Sequence, residues 1–315
     1  MFFKRRKHKW LIRDWQKVYG RPKPQMAALL TRGRSGSHFV LHALHSHPQV
    51  AALEEHVLGG QLKAYFNSEL FPIDEIAEKQ LLPQKQNLAS VDWILLNKPK
   101  AEDVTYHFPF QRDNLRLIYL FRNPVTLYYS WKKGWDEMAA RDYGLAAADD
   151  DQVLGWLRAL ILDEMTSYGF YRNRDIDTVV SLESFTCQSD ENLRRVWARL
   201  GLPFVEAGQR PRLEQCPVCE TRLEVQEDGE AVLYCPRCKK SYRAAGGYNY
   251  IGEIDASYLN HWKSKEKSPY LYEYFSQLLG TELMAFYDNE TYLAPDSADI
   301  FEDLLNHTID RICKI

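Results

Sequence analysis

The chain has 315 residues, of which 45% are hydrophobic and 26% are charged, and its formal net charge is -3. This composition excludes a disordered or fibrous protein and is typical of a globular protein with one large core. Because 40 basic residues stand against 43 acidic ones, no overall field attracts nucleic acid or an anionic membrane, and any anion site must be local.

The N-terminal segment MFFKRRKHKWLIRDWQ is basic, and no apolar run of signal-peptide or membrane-span length follows it. The sequence therefore predicts a cytoplasmic protein without a transmembrane segment. The basic run is typical of a solvated tail, and a contact with a surface or an acceptor is the alternative.

The first predicted strand is the apolar stretch from Met26 to Leu30. A polar Gly/Ser loop follows it, and after the loop apolar residues recur at spacings of three and four. This order predicts a strand, a loop and a helix, and the helix should end near His47 because proline disfavours helical geometry at the residue before it. A second strand is predicted from Val50 to Leu53.

Strands and helices alternate along the rest of the chain. Further strands are predicted at Val91 to Leu96, Leu115 to Phe121 and Thr178 to Leu182. Helices are predicted at Ile73 to Leu82, Val125 to Ala140, Val153 to Tyr168, Asn192 to Leu200, Tyr270 to Leu279 and Ser297 to Ile312. The alternation predicts an α/β fold with a mainly parallel, P-loop-like sheet flanked by helices. In such sheets ligands bind at the carboxyl ends of the strands.

The loop from Thr31 to Ser37 has the composition of an anion site. Gly33 and Gly36 permit close approach of the backbone, the serines offer hydroxyl groups, and Arg34 supplies a positive charge. Backbone N–H groups and the dipole of the following helix suit a phosphate, although an ordinary turn is the alternative. The loop lacks the Lys-Ser/Thr pair of a Walker A motif, which disfavours a metal-dependent nucleotide kinase.

Four cysteines mark an insertion from residue 213 to 245, between the parts of an α/β domain at 1–212 and 246–315. Cys216 and Cys219 form one C-x2-C knuckle, and Cys235 and Cys238 form a second one. The spacing of the knuckles predicts a zinc ribbon whose closed four-thiolate sphere is structural. Redox or fortuitous cysteine pairs are the alternative.

Two segments resemble the nucleotide motifs of the sulfotransferases that use 3'-phosphoadenylyl sulfate (PAPS). LLTRGRSGSHFVLHALHSHPQV resembles the 5'-phosphosulfate loop of that family, with His38 in place of the usual Thr or Ser. LIYLFRNPVTLYYSW resembles its 3'-phosphate motif, which corresponds here to Arg122 and Ser130. An arginine at a strand end can also fork onto a phosphate on physical grounds alone, although a surface ion pair is the commoner role of such a residue.

Two further segments extend the resemblance over most of residues 25–205 and 246–268. VVSLESFTCQSDENLRRVWARLGLPF is similar to a strand and helix of the family, with Leu182 in place of the usual Tyr. NYIGEIDASYLNHWKSK is similar to the segment that closes over the nucleotide. The resemblance implies a site for PAPS and its product 3',5'-ADP built from Arg32, Gly33, Arg34, Ser35, Gly36, Ser37, His38, Arg122, Ser130, Leu182, Trp262 and Lys263.

The resemblance is closest to the tyrosylprotein and carbohydrate subgroup and implies sulfuryl transfer to a hydroxyl of a glycan, small molecule or tyrosyl acceptor. Glu55 is the implied general base, with Glu54 and His56 as rivals. Lys98 and Arg34 would stabilise the charge of the transferred group. The alternative function is a nucleotide-binding module whose ribbon recognises a protein or nucleic acid, although the mixed charges of the ribbon make nucleic acid an unlikely partner.

Overall fold

The computed structural model describes residues 11–31, 35–53, 70–78, 88–97, 115–138, 149–171, 176–206, 221–222, 224–227, 231–237, 240–243 and 269–312.

A parallel sheet of five strands forms the centre of the protein. In chain order its strands are β2 (Gln25–Leu30), β3 (Val50–Leu53), β5 (Trp93–Asn97), β6 (Leu115–Phe121) and β7 (Ile176–Ser181), and they lie side by side in the order β3-β5-β2-β6-β7. Two short strands, β1 (Arg13–Asp14) and β4 (Leu70–Phe71), pair antiparallel beside it as a separate sheet. The predicted parallel α/β sheet is confirmed.

Ten α-helices accompany these strands within the described residues: α1 Trp15–Tyr19, α2 Ser37–His45, α3 Ile73–Glu78, α4 Pro124–Met138, α5 Asp150–Tyr171, α6 Leu182–Cys187, α7 Ser189–Arg199, α8 Pro269–Leu279, α9 Thr281–Asp288 and α10 Ser297–Ile312. Single 3-10 turns occur at Leu88–Ser90 and Thr291–Leu293.

Successive residues of the sheet pack into cores on opposite faces. Ala27 and Leu29 of β2 belong to the core beneath α2 and α7, whereas Met26 and Ala28 belong to the core that includes residues of α1 and α3. On the second face Tyr119 and other residues near β7 pack against α4, α5 and the three C-terminal helices. The apolar strands read as nearly continuous runs because both faces of the sheet are covered.

A second, antiparallel sheet lies in the predicted insertion. Its strands are β8 (Glu224–Glu227), β9 (Ala231–Cys235) and β10 (Lys240–Arg243), in the order β10-β9-β8. The pairing of Cys235 with Lys240 makes the second cysteine knuckle the turn between β9 and β10.

Several predicted bounds differ from the structure, and helices α1 and α6 were not predicted. Two of the differences lie close to the predicted site. The last strand of the parallel sheet ends at Ser181, so Leu182 begins helix α6 instead of closing the strand. Helix α2 ends at His45 because the next residue, Ser46, takes the cap position and bonds back to Ala43. Helix α9 was not predicted.

Candidate functional site

The order of the strands reverses at the central strand, β2. The chain lays down β3 and β5 on one side of β2 and then crosses to β6 and β7 on the other side. In a parallel sheet of this order, the usual ligand position is the carboxyl end of the strands where the order reverses, here at β2. The loop predicted to bind an anion follows β2 directly.

The described part of that loop is held tightly. Gly36 has φ 81° and precedes the first turn of α2, where its carbonyl accepts a hydrogen bond from the Val40 N–H at 3.2 Å. The flanking Ser35 and Ser37 are buried. The first N–H groups of α2 have no partner within the helix and carry the positive end of its dipole, so they suit an anion. Arg32, Gly33 and Arg34 lie outside the described residues, as does the side chain of His38.

Leu182, the first residue after β7, packs against this loop. A Cβ atom on Gly36 would lie 2.7 Å from both methyl groups of Leu182, so the glycine backbone rests directly on that side chain. Leu182 itself is fully buried. Its observed place is thus against Gly36 of this loop, and its predicted contact with a nucleotide stays a prediction.

Arg122 directly follows β6, the strand that pairs with β2. Its Nε donates a hydrogen bond of 2.9 Å to Oγ1 of Thr126 in the first turn of α4. The helix begins there because Asn123 caps it, with Oδ1 accepting the Val125 N–H at 2.9 Å, and Pro124 takes the first helical position.

Ser130 lies on the same face of α4 as the partner of Arg122. It follows Thr126 by one helical turn, and residues four apart in a helix are neighbours on its surface. Both Arg122 and Ser130 are partly exposed. The structure therefore brings the two residues of the predicted 3'-phosphate motif to one helix face at the carboxyl edge of the sheet.

Sequence reasoning missed a buried acid at this edge. Glu183, directly after Leu182, is fully buried and accepts the Asn123 N–H at 3.1 Å and the Ser181 hydroxyl at 3.1 Å. Burial raises the pKa of the Glu183 carboxyl, while the charge of Arg122 and these hydrogen bonds act in the opposite direction. The signal in the sequence was an acidic residue immediately after a buried strand.

The predicted acceptor side follows two strand ends. Leu53 of β3 pairs in parallel with Leu96 of β5, and the next residues of the two strands lead to Glu54, Glu55 and His56 and to Lys98. Those four residues lie outside the described residues, so their assignment as base and charge-stabilising group stays a prediction.

Histidines near that segment hold the backbone. His45 Nδ1 accepts the Ala52 N–H at 3.0 Å, which ties helix α2 to β3. His47 Nδ1 accepts the Gln49 N–H at 3.1 Å, and its Nε2 lies 3.1 Å from the Pro203 carbonyl oxygen. Burial lowers the pKa of His47, so the ring stays neutral near pH 7. Both histidines position the start of the strand that leads to Glu55.

The remaining predicted site residues are only partly described. Trp262 and Lys263 lie outside the described residues, as do Cys216, Cys219 and Cys238. Cys235 is fully buried at the end of β9. Within the described residues no group of three or more His, Cys, Asp or Glu side chains could hold a metal ion. The same residues contain no helix that combines the length and apolarity needed to cross a membrane.

Comparison with known proteins gave structural likeness alone. No model of a known family matches the chain, and no curated protein sequence matches it. Mouse sulfotransferase SULT7A1 complexed with PAP has 10% identity and a TM-score of 0.42, over 88% of this chain and 93% of its own. The sulfotransferase domain from the curacin biosynthetic pathway has 14% identity and a TM-score of 0.41, over 81% of this chain and 99% of its own. Likeness of this degree does not place the chain in a family.

Proposed function

We propose that the chain is a PAPS-dependent sulfotransferase that moves a sulfuryl group to a hydroxyl of a carbohydrate, tyrosyl or small-molecule acceptor. One observation carries the proposal: two motifs that are far apart in sequence directly follow two neighbouring strands, at their carboxyl ends. The Gly36 loop follows β2, and Arg122 with Ser130 follows β6. Two anion sites on adjacent strand ends match a nucleotide that bears a phosphate at each end of its ribose.

In this proposal some residues bind the nucleotide and others stabilise the charge of the transferred group. The amides of the loop, with Arg34 and the two serines, would hold the 5' side of the nucleotide, and Arg122 with Ser130 would hold the 3'-phosphate. PAPS, when bound, supplies the sulfuryl group. Trp262 and Lys263 would close over the nucleotide.

Glu55 would take the acceptor proton as the new S–O bond forms. The S–O bond to the donor phosphate breaks in the same transfer, and 3',5'-ADP leaves with the negative charge that Lys98 and Arg34 would stabilise. In this transfer the proton goes to Glu55, the sulfuryl group goes to the acceptor oxygen and 3',5'-ADP leaves, and no metal ion takes part.

The assignment of the base is testable by substitution. We expect Glu55→Gln to lower kcat at least ~100-fold, the lower bound of the contribution of a general base, and to leave the affinity for 3',5'-ADP unchanged. The measurement is sulfuryl transfer from labelled PAPS to the best acceptor from a panel of sugars, peptides and phenols. Glu54→Gln is the matched control, and a larger loss in that variant would assign the base to Glu54.

Nucleotide binding tests the proposed function itself. We expect 3',5'-ADP at 100 times its Kd to stabilise the folded chain by ~2.7 kcal/mol, which raises the melting temperature. The same concentration of ATP, which lacks a 3'-phosphate, should have a much smaller effect. Stabilisation by ATP, with none by 3',5'-ADP, would overturn the proposal and favour a kinase or another nucleotide-binding protein.

A structural zinc ion in the insertion is a separate part of the proposal. Cys235 is buried at the end of β9, and the turn to β10 is the second C-x2-C knuckle. A buried thiol in a hairpin of a small sheet suits a ribbon in which four thiolates hold one zinc ion. The same ribbon would be the recognition surface if the chain were a nucleotide-binding module without transfer activity.

A further inference from the structure

Glu183 is a buried acid that the proposed transfer does not use. Its carboxyl group joins the ends of two neighbouring strands: Oε1 accepts the Asn123 N–H after β6, and Oε2 accepts the Ser181 hydroxyl of β7, each at 3.1 Å. Phe121 and Ser181 are partners in the register of these strands. The carboxyl group therefore links β6 and β7 just beyond the last residue pair of the two strands.

The first of these hydrogen bonds acts on the residue next to Arg122. Asn123 is 1% exposed, and its side chain caps α4 through the Val125 N–H. Its carbonyl accepts the Thr126 hydroxyl at 3.0 Å, and Thr126 in turn accepts Nε of Arg122. A shift of the Asn123 backbone would thus move the cap, Thr126 and the Arg122 guanidinium together.

The opposite side of the carboxyl group faces the C-terminal helices. Burial raises the pKa of Tyr287 in α9 well above its ordinary value, and the negative charge of Glu183 raises it further. Tyr287 is fully buried and belongs to the core around α4 and α10. The closely packed core on this side leaves little room for the two strand ends to move.

We infer that Glu183 is a positioning residue for the 3'-phosphate: its carboxyl oxygens hold the Asn123 backbone and Ser181, and so aim Arg122. The inference depends on the proposed function. It assigns selectivity for a 3'-phosphorylated nucleotide to a residue that does not contact the nucleotide.

The test compares two ligands that differ only in the 3'-phosphate. Calorimetry gives Kd for 3',5'-ADP and for 5'-AMP, and their ratio is the 3'-phosphate preference. Glu183→Met keeps the side-chain volume but removes both acceptors, so we expect the preference to fall at least ~10-fold while Kd for 5'-AMP changes by less than ~3-fold. Glu183→Gln retains an acceptor for Asn123 and a donor for Ser181 and should keep the preference within ~3-fold.

Glu164→Gln in α5 is the matched control, because it removes the charge of another buried acid, one that also acts on Tyr287. We expect its preference to equal that of the wild type. A preserved preference in Glu183→Met, or equal losses in the Met and Gln variants, would overturn the inference and leave the proposed function standing. A wild type without any 3'-phosphate preference would overturn both.

The Ser181→Ala variant keeps the inference falsifiable if Glu183→Met does not fold. It removes one of the two hydrogen bonds to the carboxyl group, so the preference should fall by ~2- to 5-fold. An unchanged preference in a folded Ser181→Ala protein would overturn the inference.

Discussion

Gly36 meets two demands that no other residue type satisfies together. Its φ of 81° lies in the left-handed region, which costs a residue with a Cβ about 1–2 kcal/mol. A Cβ would also lie 2.7 Å from the methyl groups of Leu182. Because Leu182 is fully buried, its side chain cannot swing into solvent to make room.

We expect Gly36→Ala to destabilise the fold by the left-handed strain and by a further ~1–3 kcal/mol of overpacking. Gly201→Ala is the matched control, since Gly201 has φ 69° and no atom within 4 Å of an added Cβ, and it should show the strain alone. The measurement is urea unfolding of both variants, alone and combined with Leu182→Ala. If the two alanine variants lose equal stability, the close packing of Leu182 on Gly36 is not a constraint.

Of the contact between Gly36 and Leu182, only the glycine side could be predicted from the sequence. The Gly/Ser composition predicted that the backbone of the loop must approach something closely, but the atoms under Gly36 belong to a residue 146 positions later in the chain. From the sequence, Leu182 was predicted to contact the nucleotide because its position resembles a nucleotide-binding one. Its packing against the loop depends on the fold and could not be predicted from the sequence. Glu183 was missed for the same reason, because its partners Asn123 and Ser181 become neighbours only when β6 pairs with β7.

The elements themselves followed closely from the sequence where apolar runs were bounded by turn residues. β3, β6 and α10 have their predicted bounds, and β2 begins one residue earlier than predicted. The last strand was predicted to end one residue too late, at Leu182, because Val180, Ser181 and Leu182 form an unbroken buried run. Periodicity cannot separate a strand end from the first turn of a buried helix.

Helix α4 begins one residue earlier than periodicity predicted, and the cause is its N-terminal cap. Periodicity placed the first helical residue at Val125, yet the helix begins at Pro124 because Asn123 supplies a side-chain acceptor and proline suits the first helical position. This boundary matters for the site, since it places Thr126 within reach of Arg122 and Ser130 one turn beyond.

At the scale of the whole molecule, the strand order is what joins the two motifs. Chain order alone predicted a parallel sheet and ligands at its carboxyl edge, but not that β6 would add next to β2 on the side opposite β5. That adjacency puts Arg122 and the Gly36 loop after two paired strands. The antiparallel sheet β10-β9-β8, in contrast, comes from one contiguous stretch of chain, and the zinc ribbon at that place stays a prediction.

The ribbon and the nucleotide site should therefore respond to different perturbations. We expect the purified protein to contain one zinc ion per chain, and Cys235→Ser to lose it, because removal of one thiolate opens a four-ligand sphere. Cys187→Ser is the matched control: that cysteine lies in α6, outside both knuckles, and its loss should leave the zinc content unchanged. Elemental analysis of the three proteins measures the metal.

Stabilisation by 3',5'-ADP should persist in the zinc-free variant and after deletion of residues 214–245. The described residues of the predicted nucleotide motifs all lie on the parallel sheet and its helices. Acceptor sulfation is the informative second readout. Loss of transfer with intact nucleotide binding would assign the ribbon to the acceptor side, whereas loss of 3',5'-ADP binding would show that the insertion is part of the nucleotide site. Zinc content that survives Cys235→Ser would contradict the four-cysteine assignment.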